Sequence, residues 1–415
     1  MKSHTQTPTT ISSLPTPFPT ARVTELAFDQ IIGPSMGKLM QALGTNIHYG
    51  ARSGAQVQDS FSGKWYWDCH RNGSLYNLGH RHPVIVNAVS GALSQLEVGN
   101  LFLSSGYKAL AAQKLVASTD HGLTGVVFAA SGTEANDCAI RAARGFTQRR
   151  KLVSVNGCYH GMSAFTMAAG DDPASCERYM IDFPEFVKVP FNDIDAMRAA
   201  VDDETACVLL EASPAQLGFP EPAPGYFAAI RQICDDKGAL FILDEVQTGL
   251  GSSGSFWLWQ EQGIMPDMLT SAKGLGGGII ANAALLMAPA VKDWFIAADF
   301  PNVSTFGGSE LGCVATSAVC DLTSSADFTN NVRRLIEQFR EGFANAQFKV
   351  NQVGLCMGLL SDSMDSFTMT RKLADAGVLT LPAHYQPNAI EFRPVLILDE
   401  HEAEIIISKV RNTIG

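Results

Sequence analysis

Two carboxylates and a lysine stand where a protein core seldom puts charge. The apolar run Ala239 to Leu243 ends on Asp244 and Glu245, and a second short run, Met268 to Ser271, is followed by Lys273 and four glycines, Gly274, Gly276, Gly277 and Gly278. Apolar runs this short, bounded by polar residues, read as buried strands. Asp244 and Lys273 therefore belong at strand tips, and open α/β sheets bind ligands beyond the carboxyl ends of their strands. Burial among glycines lowers a lysine's pKa. A neutral amine there can attack a carbonyl and form a Schiff base, while Asp244 can hold a positive charge such as a protonated ring nitrogen.

Three further stretches carry possible chemistry. Ser131-Gly132-Thr133-Glu134-Ala135-Asn136 follows a strand and opens a helix, where free N–H groups attract an anion such as phosphate; ordinary capping is the plainer reading. Tyr159-His160-Gly161 sits just past another strand, so its ring can stack on a planar ligand or pack as a surface loop. Gly249 to Gly254 matches G-x-G-x-x-G, with Asp267 downstream, the pattern of a dinucleotide site. Against that rival, the polar segment Asp244–Thr248 separates the glycines from their strand. His80 and His82 flank a helix start and read first as packing or capping residues. Taken together, a Schiff-base lysine, an acid, a phosphate cup and a stacking ring at successive strand ends are what pyridoxal phosphate requires.

The elements that must position these groups alternate. Gly125–Ala130, Lys151–Asn156, Ala206–Glu211, Ala239–Asp244, Met268–Ser271 and Asn282–Met287 read as strands. Helical periodicity fills Glu134–Gln148, Ile194–Val201, Gly225–Asp236 and Phe256–Gly263. Such alternation implies an α/β fold with a mainly parallel large-domain sheet covered by helices. Asn282–Met287 follows Lys273 without a helix, which predicts an antiparallel strand. Beyond Gly308 helices at 310–324 and 328–345, strands over 348–360, 376–381 and 389–398, and a terminal helix over 402–413 predict a smaller α+β domain. The expected organisation is a flexible arm over 1–20, an N-terminal segment over 21–84, a large domain over 85–310 and a small domain over 311–415.

With 415 residues, 46% of them hydrophobic and 17% charged, the chain can bury a large core. Its formal net charge of −11, with scattered Lys and Arg, gives no footprint for nucleic acid. Nine cysteines without a C-x-x-C pair read as reduced buried thiols rather than disulfides or metal ligands. No stretch has the length of a membrane span, and the first twenty residues lack the apolar region of a signal peptide. These features predict a cytoplasmic protein with no metal site, no nucleic-acid partner and no membrane.

NLGHRHPVIVNAV, SGTEAN, YHG, LILDEVQTGLG, PDMLTSAKGLGGG and STFGGSELGC occur here in the order and approximate spacing of the class III (omega-type) aminotransferases, pyridoxal-phosphate enzymes of fold type I. The chain resembles that family well from Trp67 to Gly312 and more loosely beyond. The resemblance implies that Lys273 forms the internal aldimine with the cofactor and shuttles the proton. Asp244 would pair with the ring nitrogen, Gln247 with the phenolic oxygen, and Val246 and Tyr159 would sandwich the ring. Gly132 and Thr133 would cradle the phosphate, and Thr305 would reach the phosphate of a neighbouring subunit, making the active unit a homodimer with shared sites. Glu211 matches a glutamate close to the substrate. The partners implied are a small-molecule amino donor and a carbonyl acceptor.

Several residues depart from the family pattern. Relatives commonly carry, three residues before a C-terminal proline, an arginine that grips the substrate carboxylate. Here Glu391 takes that place ahead of Pro394, and Arg393 is expected on the opposite side of its strand. That arrangement would favour a cationic or neutral substrate end. Glu211-Ala212-Ser213-Pro214-Ala215 replaces the usual glutamate-proline run, and Met162 and Ser252 stand where arginine is common. Transamination is the first reading; a racemase, epimerase or lyase on the same fold is the alternative, and an NAD-type oxidoreductase using Gly249–Gly254 is the remote one.

Overall fold

The computed structural model describes residues 18–32, 34–99, 103–298 and 302–415. Most of the expected arm, residues 1–17, therefore lies outside the described residues. Three strands open the sheet structure: β1 (Tyr49–Ser53), β2 (Gln56–Asp59) and β3 (Trp65–Asp68). The large sheet follows with β4 (Gly125–Ala129), β5 (Lys151–Val155), β6 (Phe186–Val189), β7 (Thr205–Glu211), β8 (Leu240–Asp244), β9 (Met268–Ser271) and β10 (Ala283–Met287). Five short strands complete the chain: β11 (Lys349–Val353), β12 (Cys356–Leu360), β13 (Val378–Leu379), β14 (Leu381–Pro382) and β15 (Ala389–Phe392).

The seven-stranded sheet has the order β4-β10-β9-β8-β7-β5-β6. Neighbours from β9 through β6 pair in parallel, whereas β10 runs antiparallel to both β4 and β9. All seven residues of β7 and all five of β8 are buried, because helices cover both faces. Successive side chains point to opposite faces, and the cores divide accordingly. Val208, Leu210, Phe241 and Leu243 pack with helices Tyr226–Lys237 and Glu310–Thr323. Cys207, Leu209, Leu240 and Ile242 pack with helix Gly132–Thr147. Every parallel strand thus ends at the same rim of the sheet. β6 is an addition to the predicted set: FVKV is a half-buried edge strand whose lysine masks its apolar pattern.

The chain's two ends share structure. β13 adds in parallel to β3, which completes a sheet of order β1-β2-β3-β13. Ala55 and Cys69 sit in the C-terminal core with Phe339, Phe392 and Leu396, whereas Leu78 packs in the large core. Helix Glu310–Thr323, conversely, buries Cys313, Ala315 and Val319 in the large core. The predicted strand over 348–360 is a hairpin of β11 and β12, turned at Gly354 with a left-handed φ of +64°. The strand predicted over 389–398 stops at Phe392, since Pro394 has no N–H for a ladder.

Candidate active site

Glu211 and Asp244 close β7 and β8 side by side in register, and Asp244 pairs across to Thr270 of β9. Lys273 follows β9 in a short 3₁₀ turn, Lys273–Gly276, with a left-handed φ of +51°. A cavity of about 300 Å³ at this rim is lined by Gly132, Thr133, Tyr159, Glu211, Asp244, Val246, Gln247 and Lys273. Eight of the residues singled out from the sequence therefore meet in one place. Arg393 reaches it through Gln247, and Glu391 stands behind Arg393. Thr305 lies elsewhere, exposed on the segment before helix Glu310–Thr323.

Asp244 is nearly buried, at 4% exposure, and its carboxylate is fully held. Oδ1 accepts from Val246 N at 3.0 Å; Oδ2 takes Asn136 Nδ2 at 2.7 Å and contacts His160 Nδ1 at 2.9 Å. Asn136 is itself fixed, donating to His160 O and accepting from Thr270 Oγ1 at 2.6 Å. Sequence reasoning passed over Asn136 and treated His160 only as part of a loop. An amide one turn inside helix Gly132–Thr147, beside a strand-tip acid, was the available signal. Glu245, the neighbouring acid, acts in the scaffold instead. Its oxygens accept Leu258 N at 2.8 Å and Trp259 N at 2.9 Å, which fastens the start of a short helix.

Burial, reinforced by the nearby Arg393 cation, brings Lys273 down to about 8, although Asp244, Glu211 and Glu391 pull the other way. Burial also lifts Glu211 to about 7, with Asp244 adding to the effect. Glu211 Oε1 accepts Tyr159 N at 2.8 Å. Above the amine the chain makes a left-handed turn, with φ of 55°, 45°, 66° and 77° at Arg71, Asn72, Gly73 and Ser74. Asp68 Oδ1 holds it through His70 N and Arg71 N, and Asp68 Oδ2 is paired with the buried His80. His80 is thus a packing residue, and His82 occupies a helix N-cap without capping through its side chain. A Cβ on Gly73 would stand 3.1 Å from Lys273 Nζ.

The residues fit a phosphorylated planar cofactor. Ser131 Oγ caps helix Gly132–Thr147 by accepting Glu134 N, and the N–H groups of Gly132 and Thr133 before it have no intrahelical acceptor. A Cβ at Gly132 would press on both methyls of Val246 at 3.2 Å, so glycine keeps that cup open. Tyr159 and Val246 line the same cavity. The glycines of Gly249–Gly254 serve packing instead: side chains there would strike Trp257 at 2.8 Å and Phe328 at 2.5 Å, and the dinucleotide reading falls away.

Arg393 corrects the expected geometry. It shares the face of Glu391, because residues two apart on an extended chain point the same way. Its guanidinium is ion-paired with Glu391 and bonded to the Gln247 amide. Ser252 is buried, bonding Gly249 O at 3.2 Å, and does not line the cavity. Met162 is exposed beside it.

The family model for class III aminotransferases matches residues 41–414. The chain belongs to this family. An uncharacterized aminotransferase of Archaeoglobus fulgidus is 38% identical over 395 residues, covering 92% of each chain. An acetylornithine aminotransferase of Caldanaerobacter subterraneus is 33% identical, over 85% of this chain and 90% of the other. The fold matches that of an ornithine aminotransferase from Toxoplasma gondii with a TM-score of 0.87 over 96% of both chains, at 21% identity. This class III aminotransferase is pyridoxal-phosphate dependent, of the fold type I architecture, and moves an amino group between small molecules. The racemase, epimerase and lyase alternatives give way to that assignment. Among the described residues, no helix is long and apolar enough to cross a membrane, and no cluster of His, Cys, Asp and Glu is placed to hold a metal ion.

Proposed function

We propose that this aminotransferase carries its cofactor on Lys273 and accepts at least one substrate whose far end is neutral or cationic. When bound, the cofactor supplies the electron sink for proton loss at the substrate carbon. Asp244, braced by Asn136 and His160, keeps the ring nitrogen protonated. Val246 and Tyr159, in the same cavity lining, would flank the ring, Gly132 and Thr133 would receive the phosphate at a helix N-terminus, and Gln247 would meet the ring oxygen. The Lys273 amine, brought down to about 8, is close to the pH at which a general base works best.

The observation that carries the substrate reading is the state of Arg393. Its guanidinium is engaged by Glu391 and Gln247 and so is not offered to a substrate carboxylate. Glu211 adds a carboxyl group to the cavity lining, and Glu391 neutralises Arg393 from behind. Relatives are named acetylornithine aminotransferases; this chain, with Arg393 neutralised by Glu391 and Glu211 in the cavity lining, is proposed to prefer amines and amino compounds bearing a remote ammonium or amide. A panel of donors, followed by the change in cofactor absorbance, tests this. Turnover confined to dicarboxylic amino acids, with every donor bearing a neutral or cationic far end inactive, would remove the substrate reading. Loss of covalent cofactor attachment in Lys273→Ala, with the fold retained, tests the nucleophile.

Thr305 is exposed beside exposed Val303 and Phe306, as a residue reaching a second subunit should be. The reading is therefore a homodimer with shared sites, tested by sedimentation and by cofactor retention in Thr305→Val. Nine free cysteines, eight of them buried, support the reducing cytoplasm as its location.

A further inference from the structure

The roles above leave the Glu391–Arg393 pair without a part in catalysis. Arg393 is only 1% exposed. One guanidinium nitrogen is on Gln247 Oε1, another on Glu391 Oε2, and the cation lies over the Phe219 ring at 5.3 Å. A guanidinium only donates, so the atom it touches on Gln247 has to be the amide oxygen. The amide nitrogen then points the other way and donates to Glu211 Oε2 at 3.3 Å. Glu211 is fixed in turn by Tyr159 N at 2.8 Å and Ala215 N at 3.5 Å.

The four side chains form a row in which Arg393 donates both to Glu391 and to Gln247, and Gln247 donates onward to Glu211. Flipping the amide would set N–H against N–H at Arg393 and leave Glu211 facing an oxygen. With the flip blocked, one Nε2 proton serves Glu211 and the other is free for the cavity that Gln247 lines. Glu391 lies 8% exposed behind the pair, and His70 Nε2 stands 3.9 Å from its Oε2. Burial holds His70 down at about 3, so it is neutral, and Arg393 remains the charged partner of Glu391.

We propose that Arg393 is a positioning residue that locks the Gln247 amide with its N–H side toward the cofactor pocket, and that Glu391 holds the guanidinium to that amide. The proposal rests on the reading of Gln247 as the amide that meets the cofactor ring.

The test uses the holoenzyme with Gln247→Leu, Arg393→Met, the double variant and Arg393→Lys. The visible absorption maximum and the affinity for pyridoxal phosphate are read for each. Gln247→Leu and Arg393→Met should move the band in the same direction and weaken cofactor binding by about tenfold each, the loss of one charge-assisted network bond. The double variant should be no worse than either single, because both remove one shared interaction. Arg393→Lys keeps the charge but not the fork and should fall between wild type and Arg393→Met.

Additive losses, reaching about a hundredfold in the double variant, would overturn the proposal. So would a wild-type band and affinity in Arg393→Met together with a raised substrate KM, which would make Arg393 a substrate clamp. Where Arg393→Met fails to fold, Glu391→Gln loosens the guanidinium without emptying its site; a shifted band supports the proposal and an unshifted one removes it. An unshifted band in Gln247→Leu removes the cofactor reading of Gln247 and the proposal with it. A shift there but not in Arg393→Met removes the proposal alone.

Discussion

Gly73 is the sharpest mechanical test of the site. Its φ of +66° is one an L residue adopts at a cost of about 1–2 kcal/mol. An added Cβ would lie 3.1 Å from Lys273 Nζ, 3.7 Å from its Cε and 3.8 Å from Gln247 Oε1. The lysine end is flexible and can yield a few tenths of an ångström, so Gly73→Ala should mainly lower stability. In a chain of this size that is a fall in Tm of roughly 2 °C or less. Gly73→Val is different in kind. Its γ carbons reach about 1.5 Å farther and fill two of three staggered positions, with the amine and the Gln247 amide on that side. The amine must then move by about 1 Å, a displacement that costs on the order of a hundredfold in rate. Turnover with any accepted donor and acceptor, measured beside the thermal unfolding of both variants, separates the two effects. Comparable turnover in Gly73→Val and Gly73→Ala would refute the claim that this turn is the ceiling over Lys273.

Three other outcomes are expected. Asn136→Ala removes a bond to Asp244 and orphans the buried Thr270 hydroxyl; stability should fall by about 1–3 kcal/mol and cofactor affinity by roughly tenfold, and neither change in melting or titration would dismiss Asn136. Lys273 sits at about 8, so its amine is neutral above that pH: capture of pyridoxal phosphate by the apoenzyme, trapped with borohydride, should rise with pH around a midpoint near 8. Arg393→Met deletes a cation that depresses this value and should move the midpoint upward; a profile flat from roughly pH 7 to 9 contradicts the assignment. Glu245→Ala strips the acceptor from Leu258 N and Trp259 N and should cost about 2 kcal/mol in denaturant unfolding, with cofactor affinity unchanged. Lost affinity at unchanged stability would place Glu245 in the site instead.

Much of this arrangement was legible because short apolar strands ending in chemistry are hard to explain otherwise. Asp244, Lys273, the Ser131 cap and the antiparallel β10 follow from local pattern alone. What escaped notice depends on distant partners. The strand expected over 376–381 is there as β13, but its parallel pairing with β3, more than 300 positions earlier, is set by the fold. Arg71, Asn72 and Ser74 adopt left-handed backbone that no propensity would assign them; Asp68 imposes it through hydrogen bonds. Helices Pro289–Ile296 and Ser366–Asp375 were not anticipated from the sequence. The face of Arg393 was misjudged although strand period alone puts it with Glu391, and its grip on Gln247, 146 positions away, could come only from the fold.

The joining of β3 to β13 has a consequence for how the enzyme is made. Lys64 Nζ bonds the Ala374 carbonyl, a residue 310 positions farther along. At a synthesis rate of about 5–20 residues per second, β1 to β3 wait roughly 15–60 s for their partner strand. The turn that roofs Lys273 hangs from β3, and Arg393 emerges later still. A nascent chain can therefore complete the seven-stranded sheet, with Asp244 and Lys273 at its rim, while the site remains unroofed. Activity should be the last property the chain acquires at the ribosome, and the edge of β3 is what chaperones would find exposed until then.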